Sequence, residues 1–385
     1  MAGHIYKVRQ GNEFIWGPSE RPERPVPRFE KATSTTVPGH GRNVNKLAWN
    51  ATATFLASGS DDKTCRVWNV DEGYKQVHKI DQHGDSVVQL CWDPTTPTSL
   101  ATLAADKAVR IWDLREGRAR AVASVKQPYE YINIAWSPDG RHLAVGSSVG
   151  TKEEGVKDCV TVLDARTRRA VKRFTFAYEV NEFCWAPAAK HLVLTTAQGT
   201  LEVLRAVAPT PDEKIVVPED RDLILDEDMP PPHADSVWVA RGHTDDCYCV
   251  DLASDTFGPP LLAVGSKDSL VSIWDLEEMA SLRTVARHET PVRCVALSRW
   301  GQYVASSCYA PGVDIALAGP QEGECEQVAT VDANHAMNSL AWHPLAPVLA
   351  YAIDAKSASD KDRRRDDATP PYLRLWSAPL PSSGA

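Results

Sequence analysis

The chain has 385 residues, 43% of them hydrophobic, with 42 Lys plus Arg against 51 Asp plus Glu and a formal net charge of −9. That is enough apolar residue for a sizeable core, while no run approaches the ~18–20 residues of a membrane-spanning helix, and the acidic balance argues against a chain whose main task is coating nucleic acid. Nine cysteines without a regular framework fit a reducing compartment better than a disulfide scaffold, and the opening MAGHIYKVRQGNEF lacks the apolar stretch of a secretory signal peptide.

Residues 1–32 are rich in Pro, Arg and Glu (PSERPERPVPRFEK) and read as a flexible arm. A short run of β-formers, Thr33–Val37, follows. The body is then a repeat. Leu56–Val70 reads LASGSDDKTCRVWNV, Leu100–Leu114 reads LATLAADKAVRIWDL and Leu262–Leu276 reads LAVGSKDSLVSIWDL. Each places a Trp six residues after an Asp: Asp62 and Trp68, Asp106 and Trp112, Asp268 and Trp274. Degenerate copies around Leu163, Leu204, Ala316 and Trp376 bring the number to seven.

Upstream of each copy lies a short alternating segment ending at Trp49, Trp92, Trp136, Trp185, Leu252, Leu297 or Trp342, at intervals of 43, 44, 49, 67, 45 and 45 residues. Five of these intervals are near the ~40–45 residues of a four-stranded propeller blade, and the longest marks an insertion. A Gly-His or a lone His precedes several segments: Gly39-His40, His83, Gly242-His243, His288 and His335. Period-2 alternation broken by turns such as Ser137–Gly140 argues for antiparallel strands. Seven such sheets bury their faces most economically by radial stacking, so the expected fold is all-β, a seven-bladed propeller over residues 33–376.

Two excursions interrupt the repeat. Residues 205–234 carry PEDRDLILDEDMPPP, and 355–371 carry KSASDKDRRRDDATPP; both read as solvated insertions. Beyond Trp376 only SAPLPSSGA remains, a tail too short and too rich in Pro and Ser for the last blade's outer strand. Thr33–Val37 is therefore expected to pair with Leu373–Trp376, closing the ring and hiding two sheet edges.

Gly-His, Ser/Thr, Asp and Trp-Asp at these offsets resemble the WD-repeat family. Within it, the segments HGDSVVQLCWDP (His83–Pro94), ADKAVRIWDLR (Ala105–Arg115), YINIAWSPDGRHLAVG (Tyr131–Gly146), YEVNEFCW (Tyr178–Trp185) and LAWHPLAPVLAYA (Leu340–Ala352) are similar to the WD-repeat subunits of THO/TREX messenger-RNP assembly and export complexes. The resemblance implies a nuclear scaffold without catalysis or cofactor, whose partners are the other THO/TREX subunits, large helical proteins, with RNA contact indirect. The competing expectation is a substrate receptor of a ubiquitin ligase or a chromatin-modifying complex. The resemblance also implies an in-blade hydrogen-bond network through His40, Ser58, Asp62 and Trp68, and another through His83, Thr102, Asp106 and Trp112. A buried indole N–H needs an acceptor, and a Ser/Thr–His–Asp chain satisfies several buried polar groups together. In the third strong copy Val264 stands where Ser58 or Thr102 would be, so that network is expected to be incomplete and His243 to matter less than His83.

The chemical motifs are few. Cys247 and Cys249 share one strand face with no second pair near them, and the histidines are spread one per unit, so no metal site is expected. The repeated Ser–His–Asp set is not a hydrolytic triad, because a catalytic constellation occurs once. No phosphate-binding loop, dinucleotide fingerprint, HExxH or GxSxG is present. One polar set remains: Asn45, Asn181, Arg293 and Asn338, each four residues before its landmark, joined approximately by Asn133. At the starts of innermost strands these would ring one mouth of the central channel. Asn there serves a β-bulge or turn equally well; as the candidate partner-binding site, the ring would grip a peptide from rigid blade ends.

Overall fold

A computed structural model describes residues 5–10, 13–18, 26–115, 119–126, 129–149, 155–207, 233–253, 259–319, 323–354 and 372–380. Seven antiparallel sheets stand radially around a channel, each beginning with the strand that carries a landmark Trp or Leu. In chain order the innermost strands are Val44–Trp49, Val87–Trp92, Glu130–Trp136, Val180–Trp185, Cys247–Ala253, Val292–Leu297 and Met337–Trp342. They define blades one to seven. Among the described residues no α-helix occurs.

The blades are sheets because their apolar residues are buried on both faces. In the second strands, such as Phe55–Ser60 and Leu261–Ser266, nearly every residue is buried, since each sheet is covered by a neighbour on either side. The indoles of Trp68 and Trp112 are fully buried between blades. In blades one, two, four and five the turn after the second strand needs a left-handed residue: Lys63, Lys107, Gly199 and Ser269 fill it. At Gly199 a Cβ would lie 2.3 Å from the His243 carbonyl, so only glycine fits. Gly39 and Gly242 precede their histidines for a different reason. A Cβ there would meet the Trp68 or Trp274 ring at 2.4 or 2.5 Å.

Blade seven is built from both ends of the chain. Thr33–Thr36 pairs antiparallel with Leu373–Ser377, setting Thr33 opposite Ser377 and Thr36 opposite Arg374. The boundaries lie outside the expected 33 and 376. Phe29–Lys31 forms a 3₁₀ turn, and the Phe29 ring stacks on Trp376 at 5.8 Å and meets Tyr303 edge-on at 5.2 Å. Arg28 N–H donates to the Pro379 carbonyl, and Ala378 is buried. An aromatic anchor thus docks the last residues of the supposed flexible arm, and the supposed tail begins inside the sheet. Farther upstream, Ile5–Gln10 pairs with Glu13–Pro18 in a two-stranded sheet of its own.

Arg205 ends a strand and Ala206 is buried, while His233 packs on Phe174 and Phe176, so the first insertion is narrower than 205–234. Its remainder, 208–232, and the second insertion, 355–371, lie outside the described residues. Blade five gains a fifth strand, Gly323–Glu324, which runs parallel to Ala280–Val285.

Candidate partner-binding site

Three blades show the in-blade network, in two electrostatic forms. In blade one, His40 Nδ1 lies 2.9 Å from Asp62 Oδ2 and Nε2 lies 2.7 Å from Ser58 Oγ, which also accepts the Trp68 indole N–H at 2.9 Å. With the indole donating to the hydroxyl oxygen, the hydroxyl proton turns to Nε2, and Nδ1–H donates to the carboxylate. Burial pushes the His40 pKa down and so favours this neutral ring. Burial would also raise the Asp62 carboxyl, but hydrogen bonds from His40 and Thr64 hold it well below the usual carboxylate range.

Blade two departs from the expected set. His83 Nδ1 faces not Asp106 but a guanidinium nitrogen of Arg110, at 2.8 Å, and Arg110 in turn meets Asp106 at 2.8 Å. A guanidinium only donates, so Nδ1 must accept and Nε2–H must donate to Thr102 Oγ1 at 3.0 Å. The tautomer is the reverse of that in blade one. Burial, then the Arg110 charge, lowers the His83 pKa to about 4.

Blade five corrects the expectation drawn from Val264. Ser272, directly across the strand pair from Val264, supplies the missing hydroxyl. Its Oγ lies 2.7 Å from His243 Nε2 and accepts the Trp274 N–H at 2.7 Å, while His243 Nδ1 meets Asp268 at 3.0 Å. The network is complete, so His243 has the same partners as His40.

The polar ring occupies bulges. On every innermost strand the ladder shifts register at the ring position, between Val44 and Lys46, Val180 and Glu182, Val292 and Cys294, and Met337 and Ser339. The bulged side chain turns toward the next blade. Asn45 Nδ2 donates to Val87 O at 3.0 Å, Asn181 Nδ2 to Cys247 O at 3.0 Å and Asn338 Nδ2 to Val44 O at 3.1 Å, each reaching the first residue of the next innermost strand. Arg293 donates to Asn338 Oδ1 and to Asp354, which also accepts from Asn43 of blade one. These four are half-buried and line the channel. Asn133 does not join them. It sits one residue deeper, is buried, and donates to Phe183 O at 3.0 Å. The side chains expected to grip a partner are thus engaged in holding neighbouring blades together.

The landmark tryptophans share that work. Trp49, Trp92, Trp185 and Trp342 donate their indole N–H to Ala341, Ala48, Ala135 and Ala296, each in the preceding blade, at 2.9–3.2 Å.

The channel encloses a cavity of about 860 Å³. Lys46 of blade one meets Glu182 of blade four at 3.1 Å, tying the ring together through its middle. Glu182 also accepts the Val250 N–H, and Asp251 accepts the Leu297 N–H. Burial pushes the Asp251 carboxyl up to about 6. At the mouth the bulged residue of blade five is Tyr248, and the Arg293 guanidinium lies 4.8 Å from the centre of the Tyr309 ring. Tyr309 is 53% exposed, among the most exposed large apolar groups of the chain. The sequence reading missed both tyrosines because it looked for amides. Only Tyr248 carried a signal, a positional one: it stands four residues before Leu252.

Against known proteins, the WD domain, G-beta repeat, family matches residues 31–69, 74–113, 235–275 and 279–310. THO complex subunit 3 of Arabidopsis thaliana is 37% identical over 332 residues, spanning 86% of this chain and 92% of that protein. The chain belongs to the WD-repeat family that includes THO complex subunit 3. WD repeat-containing protein AAC3 of Dictyostelium discoideum is a more distant relative, 25% identical over 84% of this chain and 64% of its own. Among solved structures, the β-propeller domain of Cps50 (Swd1) from Myceliophteria thermophila shares the fold at a TM-score of 0.66, covering 90% of this chain and 100% of that one, at 16% identity. The two copies in blades one and two and those of blades five and six are the ones that the repeat family recognises. Blades three and four lack the Gly-His, Asp and Trp-Asp set.

Proposed function

We propose that the protein is a non-catalytic, nuclear scaffold subunit of a THO/TREX assembly, coupling transcription to messenger-RNP packaging and export through protein contacts. The observation that carries this reading is the similarity to THO complex subunit 3 over nearly the whole of both chains. The cross-braced disc supports it, because rigid frames present binding surfaces at little ordering cost. Partner capture centres on the channel mouth, at Tyr248, Tyr309 and Arg293, with Asn45, Asn181 and Asn338 holding that rim in shape. Arg and Tyr are the residue types that dominate interface hot spots.

The test is affinity capture of the full-length chain from nuclear extract, read by mass spectrometry. The other THO subunits should co-purify in near-stoichiometric amounts. Tyr248→Ala with Tyr309→Ala should reduce that capture at least tenfold with an unchanged circular-dichroism melt. Recovery of a cullin adaptor or a histone-modifying enzyme instead would replace the THO reading with the substrate-receptor one.

A further inference from the structure

Blade six carries a network that lacks its carboxylate. His288 Nε2 lies 2.8 Å from Ser306 Oγ, as His40 does from Ser58. In the same register, however, Ala310 stands where blade one has Asp62, and Cys308 stands where it has Ser60. The imidazole that faces an aspartate in blades one and five lies beside a thiol here. His288 and Thr290 lie beside that sulfur and favour its thiolate, while the Ala310 N–H donates to Thr290 Oγ1 at 3.2 Å. A cavity of about 340 Å³ opens beside it, lined by both Cys308 and His288.

We propose that Cys308 is a peroxide-reactive thiol, with His288 as the group that activates it and protonates the leaving oxygen. Proton transfer to His288 leaves a thiolate beside an imidazolium. The sulfur attacks one oxygen of hydrogen peroxide, and the S–O bond forms as the O–O bond breaks. Sulfur gives up two electrons, Cys308 becomes a sulfenic acid, and the departing hydroxide takes the His288 proton and leaves as water. The cavity selects for a small neutral oxidant. Glu289, Asp314 and Asp332 line it, and Arg287, its one permanent cation among the described lining residues, is paired with Asp314 at 2.8 Å. Anionic disulfides and peptides meet net negative charge there.

Seven of the eight other thiols are set apart from this one. Burial pushes the thiols of Cys65, Cys91, Cys184, Cys247, Cys249, Cys294 and Cys325 up. Burial would do the same to Cys308, but the bonds from His288 and Thr290 bring it down to about 7.

The experiment uses the native full-length chain. It is treated with a limiting dose of hydrogen peroxide in the presence of dimedone, which traps sulfenic acids, and each cysteine peptide is quantified. Cys308 should carry the adduct at least tenfold more than any other cysteine. The rate of its alkylation by iodoacetamide should be half-maximal near pH 7. His288→Gln should move that midpoint up by at least one unit while the melting curve shows a folded protein. Labelling spread evenly over the nine cysteines, or a Cys308 midpoint above 8.5 in the unmutated chain, overturns the proposal. If His288→Gln fails to fold, the pH profile of the unmutated chain decides alone.

Discussion

The seam between blades seven and one and the seam between blades two and three are built from the same strand positions, yet they are held differently. Across the first, Asn338 donates to Val44 O, Leu47 N–H donates to Ser339 Oγ, Trp49 donates to Ala341 O, and Asn43 reaches Asp354. Across the second, the bulged position holds Val88, which has no amide. Gln89 stands in the place of Ser339, with its Oε1 buried and unpartnered, and the Trp136 indole N–H is buried and unpartnered too. Among the described residues, the Trp136 backbone N–H lies against the Cys91 sulfur there and favours its thiolate. The difference lies in the side chains, Val88 for Asn338 and Gln89 for Ser339, since the consecutive blades one and two carry the same cross-links as the closing seam, Asn45 to Val87 O and Trp92 to Ala48 O. Blade seven meets blade one only if two distant chain ends associate, and directional bonds offset that closure entropy. At ~0.5–1.5 kcal/mol each, the four bonds of the closing seam contribute about 2–6 kcal/mol.

The sharpest way to break the closing seam is to remove its strand. Deletion of residues 1–37 takes Thr33–Thr36 from the sheet and Phe29 from Trp376, leaving the edge of Leu373–Ser377 bare. Insoluble protein, or a fall in melting temperature of more than about 10 °C, is expected, whereas deletion of 1–25 should leave both nearly unchanged. A soluble, normally melting 38–385 fragment would refute the assigned role of the strand.

Acid probes the network of blade two, whose Trp112 packs against blade one. The folded-state pKa of His83 is about 4 against an ordinary value of 6.5, so between these values the unfolded chain binds the extra proton. Stability from the neutral ring is complete above pH 6.5 and is lost as pH falls toward 4, by about 3 kcal/mol at most. Asp251, pushed up to about 6, works with the opposite sign and partly masks the loss. Comparing urea unfolding of the unmutated chain and His83→Gln at pH 7 and pH 5 isolates the histidine: the unmutated chain should lose more.

Smaller substitutions separate the seams bond by bond. Trp49→Phe leaves the Ala341 carbonyl without its donor and should cost about 1–2 kcal/mol in chemical denaturation. Trp136→Phe removes an N–H that has no acceptor, so its cost should be close to zero, and equal losses would contradict the comparison. Val88→Asn should place a donor beside the carbonyl that begins blade three and add about 0.5–1 kcal/mol, the smallest effect of the set.

The fold was legible because period and alternation are properties of the chain itself. The landmark spacing gives seven units, and the run of β-formers Thr33–Val37 just before Gly39-His40 marks the closing strand. The cross-blade bonds were not legible, because their acceptors are backbone carbonyls in another unit and carry no side-chain signature. Asn45 and Val87 are 42 residues apart, Asn181 and Cys247 are 66. Ser272 was missed for a geometric reason. A hydroxyl can reach the same imidazole from either of two paired strands, and linear alignment compares only one of them. Arg110 was missed because a guanidinium entering between His83 and Asp106 alters no motif residue.

The closing strand also bears on synthesis. Thr33–Thr36 leaves the ribosome before any blade exists, and its partner Leu373–Ser377 follows some 340 residues later. At ~5–20 residues per second the first strand waits for tens of seconds with its backbone unpaired. Its sequence, Thr-Ser-Thr-Thr, is suited to that wait. All four side chains stay exposed in the finished ring, so the segment keeps strand-forming residues without an oily face for neighbouring nascent chains to seize.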